Sequence, residues 1–304
     1  GKRVSEIPTP SFVVDRATFK KNCDKMLLNA KHLKADFRAH VKTHKSVEGT
    51  LLQLGSGNLK TDKIVVSTLM EAWGLVPLME KGLIADLLFS LPVVESRLQE
   101  LLDLSEHVPN LRLMLDNKEQ LNSLVEFNKK HRNEKKWSVF IKINMGTDRA
   151  GFEENNDLDQ TLYELLQTST RDHVSLYGFY CHAGHSYASS TEEQAKSYLM
   201  DEINSGNAAC KKAMEINPSL ILQLSVGATP TAHAAENLDL ASVGKLYGQL
   251  ELHAGNYPFC DLQQMSTNCV KLEQISCRVL AEVLSSYPGR GSNAPGEQLI
   301  NAGV

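Results

Sequence analysis

The chain has 304 residues, 42% of them hydrophobic, with 22% charged side chains and a formal net charge of −4. That composition excludes a disordered chain, and the mixed charge gives no positive field that would attract nucleic acid. It leaves room for one domain with a large core plus an appendage, or for two domains.

In chain order, "TPSFVVD" (9–15) reads as extended chain ahead of a first helix. Eight short runs rich in Val, Ile, Leu and Phe then recur: 37–42, 64–68, 86–91, 111–116, 138–144, 176–182, 222–228 and 249–257. Longer amphipathic stretches separate them. In "NKEQLNSLVEFNKKHR", Leu121, Leu124, Val125 and Phe127 share one side, and "TEEQAKSYLMDEINSGNAACKKAM" opens on a capping box from Thr191 to Gln194. Eight strands alternating with helices predict a parallel (β/α)8 barrel over 17–265, because the count closes at eight and the span is typical of that fold. An open doubly wound sheet is the competing arrangement. After Cys260 the pattern changes to strand, Pro/Gly/Ser-rich turn, strand, so 266–304 is expected to begin a C-terminal β domain whose remainder is absent. The opening residues 1–16 are candidates to pair with it.

No run of about 18 apolar residues occurs, and "GKRVSEIPTP" has no apolar segment of a secretion signal. A soluble, cytoplasmic protein with neither a membrane nor a nucleic-acid partner is expected. The six cysteines are scattered without a CxxC pair, which fits buried thiols in a reducing compartment.

Several strand ends carry candidate chemistry. "FRAHVKTHK" (37–45) gathers five basic side chains, and alternation puts Arg38, His40 and Lys42 on one face of the first strand, with Thr43, His44 and Lys45 beyond its end. A lone lysine is usually a solvated charge, but an inward lysine on a walled strand, crowded by cations, has a lowered pKa and can condense with an aldehyde. "SVGATPT" (225–231) and "HAGNY" (253–257) turn on glycine after the seventh and eighth strands, where barrels bind phosphate. Thr229 and Thr231 also suit helix capping. An inward lysine facing such loops suggests a phosphorylated aldehyde cofactor. In "CHAGHSY" (181–187), His182 and His185 have a metal-like spacing that lacks a further ligand, and a ring against a flat cofactor with Tyr187 lending a hydroxyl is the stronger reading. "KINMGTDRAGF" (142–152) brings Asn144 and Arg149 toward the same mouth. Arg149 suits a carboxylate or a phenolic oxygen, or local pairing with Asp148 or Glu153.

Together, "TPSFVVD", "RAHVKTHK", "GTDRAG", "GFYCHAGHSY", "SVGATPT" and "ELHAGNYPFCDLQQ" resemble the fold-type III pyridoxal-phosphate enzymes, the alanine racemase-like barrel family. Within it, the fungal-type D-serine dehydratases and their D-threonine aldolase relatives are the most similar group. The resemblance implies a lyase that converts D-serine to pyruvate and ammonia. It implies pyridoxal 5'-phosphate carried on Lys42 rather than Lys45, with His40 nearby and His182 against the ring. It implies Arg149 at the phenolic oxygen, Tyr187 in the active site, and Gly227, Thr229, Gly255 and Asn256 in a phosphate cup. It also implies a homodimer and a small amino-acid substrate. His253 and Ala254 stand where many relatives have Arg-Pro. A histidine there is a weak proton source, so a fully protonated cofactor ring is not expected to dominate. The dehydratases hold zinc through a His-x-Cys pair that these 304 residues lack, so zinc ligands are expected beyond Val304. D-threonine aldolase, a racemase and a noncatalytic pyridoxal-phosphate-binding protein remain as alternatives.

Overall fold

The computed structural model describes residues 2–239, 241 and 243–303. Eight parallel strands close into a barrel: β1 Asp36–His40, β2 Lys63–Val66, β3 Asp86–Pro92, β4 Asn110–Leu115, β5 Trp137–Ile143, β6 Val174–Cys181, β7 Gln223–Val226 and β8 Gln249–Ala254. They follow one another around the barrel, which closes where β8 pairs with β1 through Glu251↔Asp36 and His253↔Arg38. The strands fall on the eight apolar runs, and the open-sheet arrangement is thereby excluded. One boundary matters for the site. β1 stops at His40, so Lys42 is not a strand residue, as alternation had put it, but belongs to the turn that follows.

Two cores explain why the sequence closes in this way. Outward-facing residues such as Ile64, Leu87, Leu113 and Ile141 pack under the helices in one continuous apolar layer. The helix Lys118–His131 buries Leu121, Leu124 and Phe127 in it, and Asn117 accepts from Gln120 N–H at the helix start. Inside the barrel, β2 to β6 contribute Val65, Leu88, Met114, Phe140 and Tyr180 to a separate small cluster. Truncating a fully buried leucine such as Leu88 costs about 2–5 kcal/mol.

The other half of the interior is polar. Arg38 of β1 is 0% exposed and pairs with Asp86 at 2.6 Å and Glu251 at 2.7 Å. Arg112 reaches Asp86 at 2.8 Å, and Lys63 reaches Glu251 at 3.2 Å. These charges sit below the C-terminal ends of the strands, each satisfied by its neighbours. Removing one partner of such a pair leaves a buried charge uncompensated, at about 3–5 kcal/mol.

Outside the barrel, Ser11–Val14 pairs antiparallel with Cys277–Leu280, and Val283–Pro288 forms a hairpin with Gly296–Ile300. Phe12 lies edge-on to Phe259 at 5.5 Å, where the first of these ribbons meets the barrel. Asp15 ends the N-terminal strand and caps the helix Arg16–His32 by accepting from Ala17 and Thr18. Among the described residues no helix is long and apolar enough to cross a membrane.

Candidate active site

The C-terminal ends of the strands surround a cavity of about 590 Å³, within the range of small-molecule sites. Strand alternation and the polar half of the barrel together determine what lines it. β1 supplies His40 and the adjoining Lys42. β5 supplies Lys142 and, through its loop, Arg149. β6 supplies Tyr180, His182 and Tyr187. β7 and β8 supply Gly227, Thr229, His253 and Gly255.

The basic stretch 37–45 therefore divides. Arg38 is locked in the charge network below the cavity. His44 is turned outward, its Nε2 2.7 Å from Gln53 Oε1 and its ring edge-on to Phe19. Lys45 is exposed, lies 3.5 Å from Glu71 and does not line the cavity. Only His40 and Lys42 face it. Lys42 is not dry, contrary to the expectation of an enclosed inward lysine. Its side chain stands exposed to the cavity, because it lies in the turn above the strand. The enclosing walls still lower its pKa, with the Arg149 charge acting in the same direction and Glu71 opposing.

His40 is buried, and burial together with the Lys42 charge holds it well below the usual histidine value. Its Nδ1 accepts from Lys42 N–H at 3.4 Å, which leaves Nε2–H for Ser67 Oγ at 3.3 Å. His182 donates from Nδ1 to Gly227 O at 2.7 Å. Burial lowers its pKa to about 4, against the opposing effect of that hydrogen bond, with Lys42 adding to the lowering. Both rings are neutral at physiological pH.

Glycine shapes the far wall. Gly227 has φ +141°, and a Cβ there would lie 2.1 Å from His253 O. A Cβ on Gly255 would lie 3.0 Å from Lys42 Cε. Thr229 is buried beside them and accepts Asn256 N–H at 3.0 Å, while Thr231 instead caps the turn by accepting Ala228 N–H at 2.7 Å. Asn256, expected in the cup, turns its side-chain amide to Asp261 at 2.7 Å and does not line the cavity. It acts as a brace on the loop, because its N–H is already taken by Thr229.

Arg149 forms no ion pair among the described residues. The acids that could hold it locally are occupied, since Asn144 Nδ2 donates to Asp148 at 2.8 Å and to Glu153 at 2.5 Å. Asn144 thus organises the loop rather than the cavity. The His182–His185 spacing does not make a pair: His185 packs edge-on against Tyr198 at 4.4 Å, away from the lining. Among the described residues no group of three or more His, Cys, Asp or Glu could hold a metal.

Several lining residues escaped the sequence reading. Lys142 is two positions after inward Phe140 on β5, and Tyr180 is two before His182; strict alternation toward each strand's C-terminal end would have found both. The pKa of Lys142 is also lowered, by burial first and then by Arg149. Glu202, from the helix Glu192–Ile216, gave no signal. It accepts Ala183 N–H at 2.6 Å and the Thr231 hydroxyl at 3.0 Å, tying the loop after β6 to the one after β7.

The alanine racemase N-terminal domain family matches residues 14–250. The chain belongs to this family. A D-serine dehydratase of Schizosaccharomyces pombe is 52% identical over the whole chain, which covers 72% of that relative. A D-serine dehydratase of Saccharomyces cerevisiae is 40% identical, again over the whole chain, which covers 75% of it. Among solved structures, the D-threo-3-hydroxyaspartate dehydratase from Delftia sp. HT23 superposes with a TM-score of 0.77 at 27% identity, over 95% of this chain and 71% of that one. The cofactor that the alanine racemase family implies is pyridoxal phosphate.

Proposed function

We propose that this chain is a pyridoxal-phosphate-dependent lyase acting on D-serine, releasing pyruvate and ammonia. The observation that carries the reading is the cavity itself: a lysine of lowered pKa lining it together with two glycine-built loops, in a chain 52% identical along its whole length to a D-serine dehydratase.

The residues present fit the cofactor. Gly227 and Gly255 line the cavity and, having no Cβ, let their loops close tightly on the His253 carbonyl and the Lys42 side chain, so that backbone borders the cavity there, and the buried Nε2 of His253 has no partner. In this reading Lys42 holds the aldehyde, and Gly227, Thr229 and Gly255 hold the phosphate, with Asn256 bracing their loop. Arg149 would face the phenolic oxygen, His182 would lie against the ring and His253 at its nitrogen edge, and His40 and Tyr187 would complete the walls. When bound, the cofactor supplies a sink for the charge left on a substrate α-carbon. Lys42 supplies the base, since a lowered pKa keeps more of its amine neutral and able to take a proton. Lys142 and Arg149 stand against a single lining carboxylate, Asp116, and this positive balance favours the phosphate and the substrate's own carboxylate. Zinc and a homodimer are implied by the resemblance alone.

Borohydride reduction of the cofactor-loaded protein, followed by peptide mapping, is expected to tag Lys42, and Lys42→Ala to remove the bound cofactor's absorbance band. A tag on Lys142 would overturn the assignment. Pyruvate is expected from D-serine and not from L-serine. Glycine and acetaldehyde from D-threonine, with no pyruvate from D-serine, would replace the lyase reading by an aldolase one.

A further inference from the structure

A chain of buried polar groups runs beneath the cavity from Arg38 to His253. Arg38 Nε and Nη2 donate to the two oxygens of Glu251 at 2.7 and 3.1 Å, and Lys63 Nζ donates to Oε2 at 3.2 Å. Both oxygens of Glu251 thus face cationic N–H donors and serve as acceptors. Ser225 Oγ lies 2.8 Å from Glu251 Oε1 and 3.0 Å from His253 Nδ1. The hydroxyl has a single proton. If it went to His253, lone pairs of Ser225 and Glu251 would oppose each other at hydrogen-bond distance between fully buried side chains. It therefore goes to Glu251, and Ser225 Oγ accepts from His253 Nδ1–H.

The remaining nitrogen follows from the chemistry of imidazole. His253 is 2% exposed, and burial lowers its pKa well below the usual histidine value, with the Lys42 and Arg38 charges acting in the same direction. A neutral ring protonated at Nδ1 carries a lone pair on Nε2. Tyr180 stacks on the ring at 4.0 Å and 10°, which fixes its plane. Nε2 is buried and unpartnered, on a residue that lines the cavity. His40, on the neighbouring strand β1, has the opposite arrangement, because its Nδ1 accepts Lys42 N–H.

We propose that Arg38, Glu251 and Ser225 act as positioning residues that fix His253 as its Nδ1–H tautomer, so that Nε2 is a dedicated hydrogen-bond acceptor selecting a protonated ring nitrogen in the bound ligand. The ligand's identity rests on the proposed function; the tautomer does not. The expectation from sequence, that a histidine at this position disfavours a protonated cofactor ring, is reversed. That expectation weighed the residue as a proton source, whereas the network makes it a proton acceptor. An arginine at this position, a donor only, would have the opposite effect.

Two-bond 1H–15N NMR of histidine-labelled protein without cofactor, assigned by loss of the His253→Asn signal, reads the tautomer directly. The expected pattern is a protonated Nδ1 and a pyridine-like Nε2; the reverse pattern overturns the proposal by itself, whether or not any variant folds. Ser225→Ala, its fold checked by thermal melting, is expected to shift the pattern toward the Nε2–H form, and an unchanged pattern would show that the network does not set it. Pyridoxal phosphate labelled at its ring nitrogen is then added. A protonated nitrogen in the wild-type protein, lost in His253→Phe, supports the selection, and an unprotonated nitrogen in the wild type overturns it. Failure of the cofactor to bind would remove the ligand half together with the proposed function, while the tautomer measurement decides the other half independently.

Discussion

Gly227 combines several constraints in a residue without a side chain. Its carbonyl oxygen holds the His182 ring, its φ of +141° suits glycine, and a Cβ would run into the backbone of β8. Gly227→Ala must push the ends of β7 and β8 apart or release His182. The expected cost is about 1–3 kcal/mol in urea denaturation, with a change in the His182 imidazole signal that a remote Gly→Ala change does not produce. The glycine was visible in the sequence as a turn, but a turn alone is weak evidence. Its meaning comes from a carbonyl 26 residues further along the chain.

At the scale of elements, the helix Glu192–Ile216 illustrates the same division. Its start is legible: Thr191 accepts Gln194 N–H at 3.2 Å, and Gln194 returns the contact to Ser190. Its functional contribution is not legible, because Glu202 looks like any acid on a long polar helix. In the fold it is 0% exposed and joins two cavity loops. Glu202→Ala strands the Ala183 N–H, at an expected cost of about 1–3 kcal/mol, whereas Glu202→Gln keeps an acceptor and costs less. Burial raises the Glu202 pKa to about 8, against the hydrogen bonds from Ala183, Thr231 and Gly227 that oppose the rise. The unfolded chain thus releases this proton near 4.5 while the native state retains it, so rising pH between those values favours unfolding. Chemical denaturation as a function of pH should show this contribution in the wild type and its absence in Glu202→Gln.

For the whole molecule, the acid side is set by histidines. His40, His44, His182, His233 and His253 all have pKa values lowered, by burial first in each case. Below the ordinary value of 6.5 the unfolded chain takes up protons that the native state refuses, down to about 4 for His182 and His233. Stability contributed by these groups is present above that ordinary value and is lost as pH falls through the window. Five histidines acting in this direction outweigh the single opposing glutamic acid below 6.5, and Glu202 acts alone among these groups above it. The contribution of these six groups to stability is therefore expected to peak near neutrality. Denaturation midpoints that rise steadily from pH 7 to pH 5 would contradict this balance.

The sequence by itself determined the barrel, because alternation of short apolar strands with amphipathic helices is a local pattern that can be counted. It also placed Lys42, His182 and the glycine turns near one another, since barrel strands present their C-terminal ends at one mouth. It did not determine which charges share the interior. Arg38 and Glu251 are 213 positions apart and meet only where β8 closes on β1. Whether Lys142 enters the cavity, whether His44 and Lys45 leave it, and which nitrogen of His253 holds its proton all follow from that closure. Strand period is fixed by neighbours along the chain, whereas the layer a residue occupies and the partner that satisfies it are fixed by strands across the barrel.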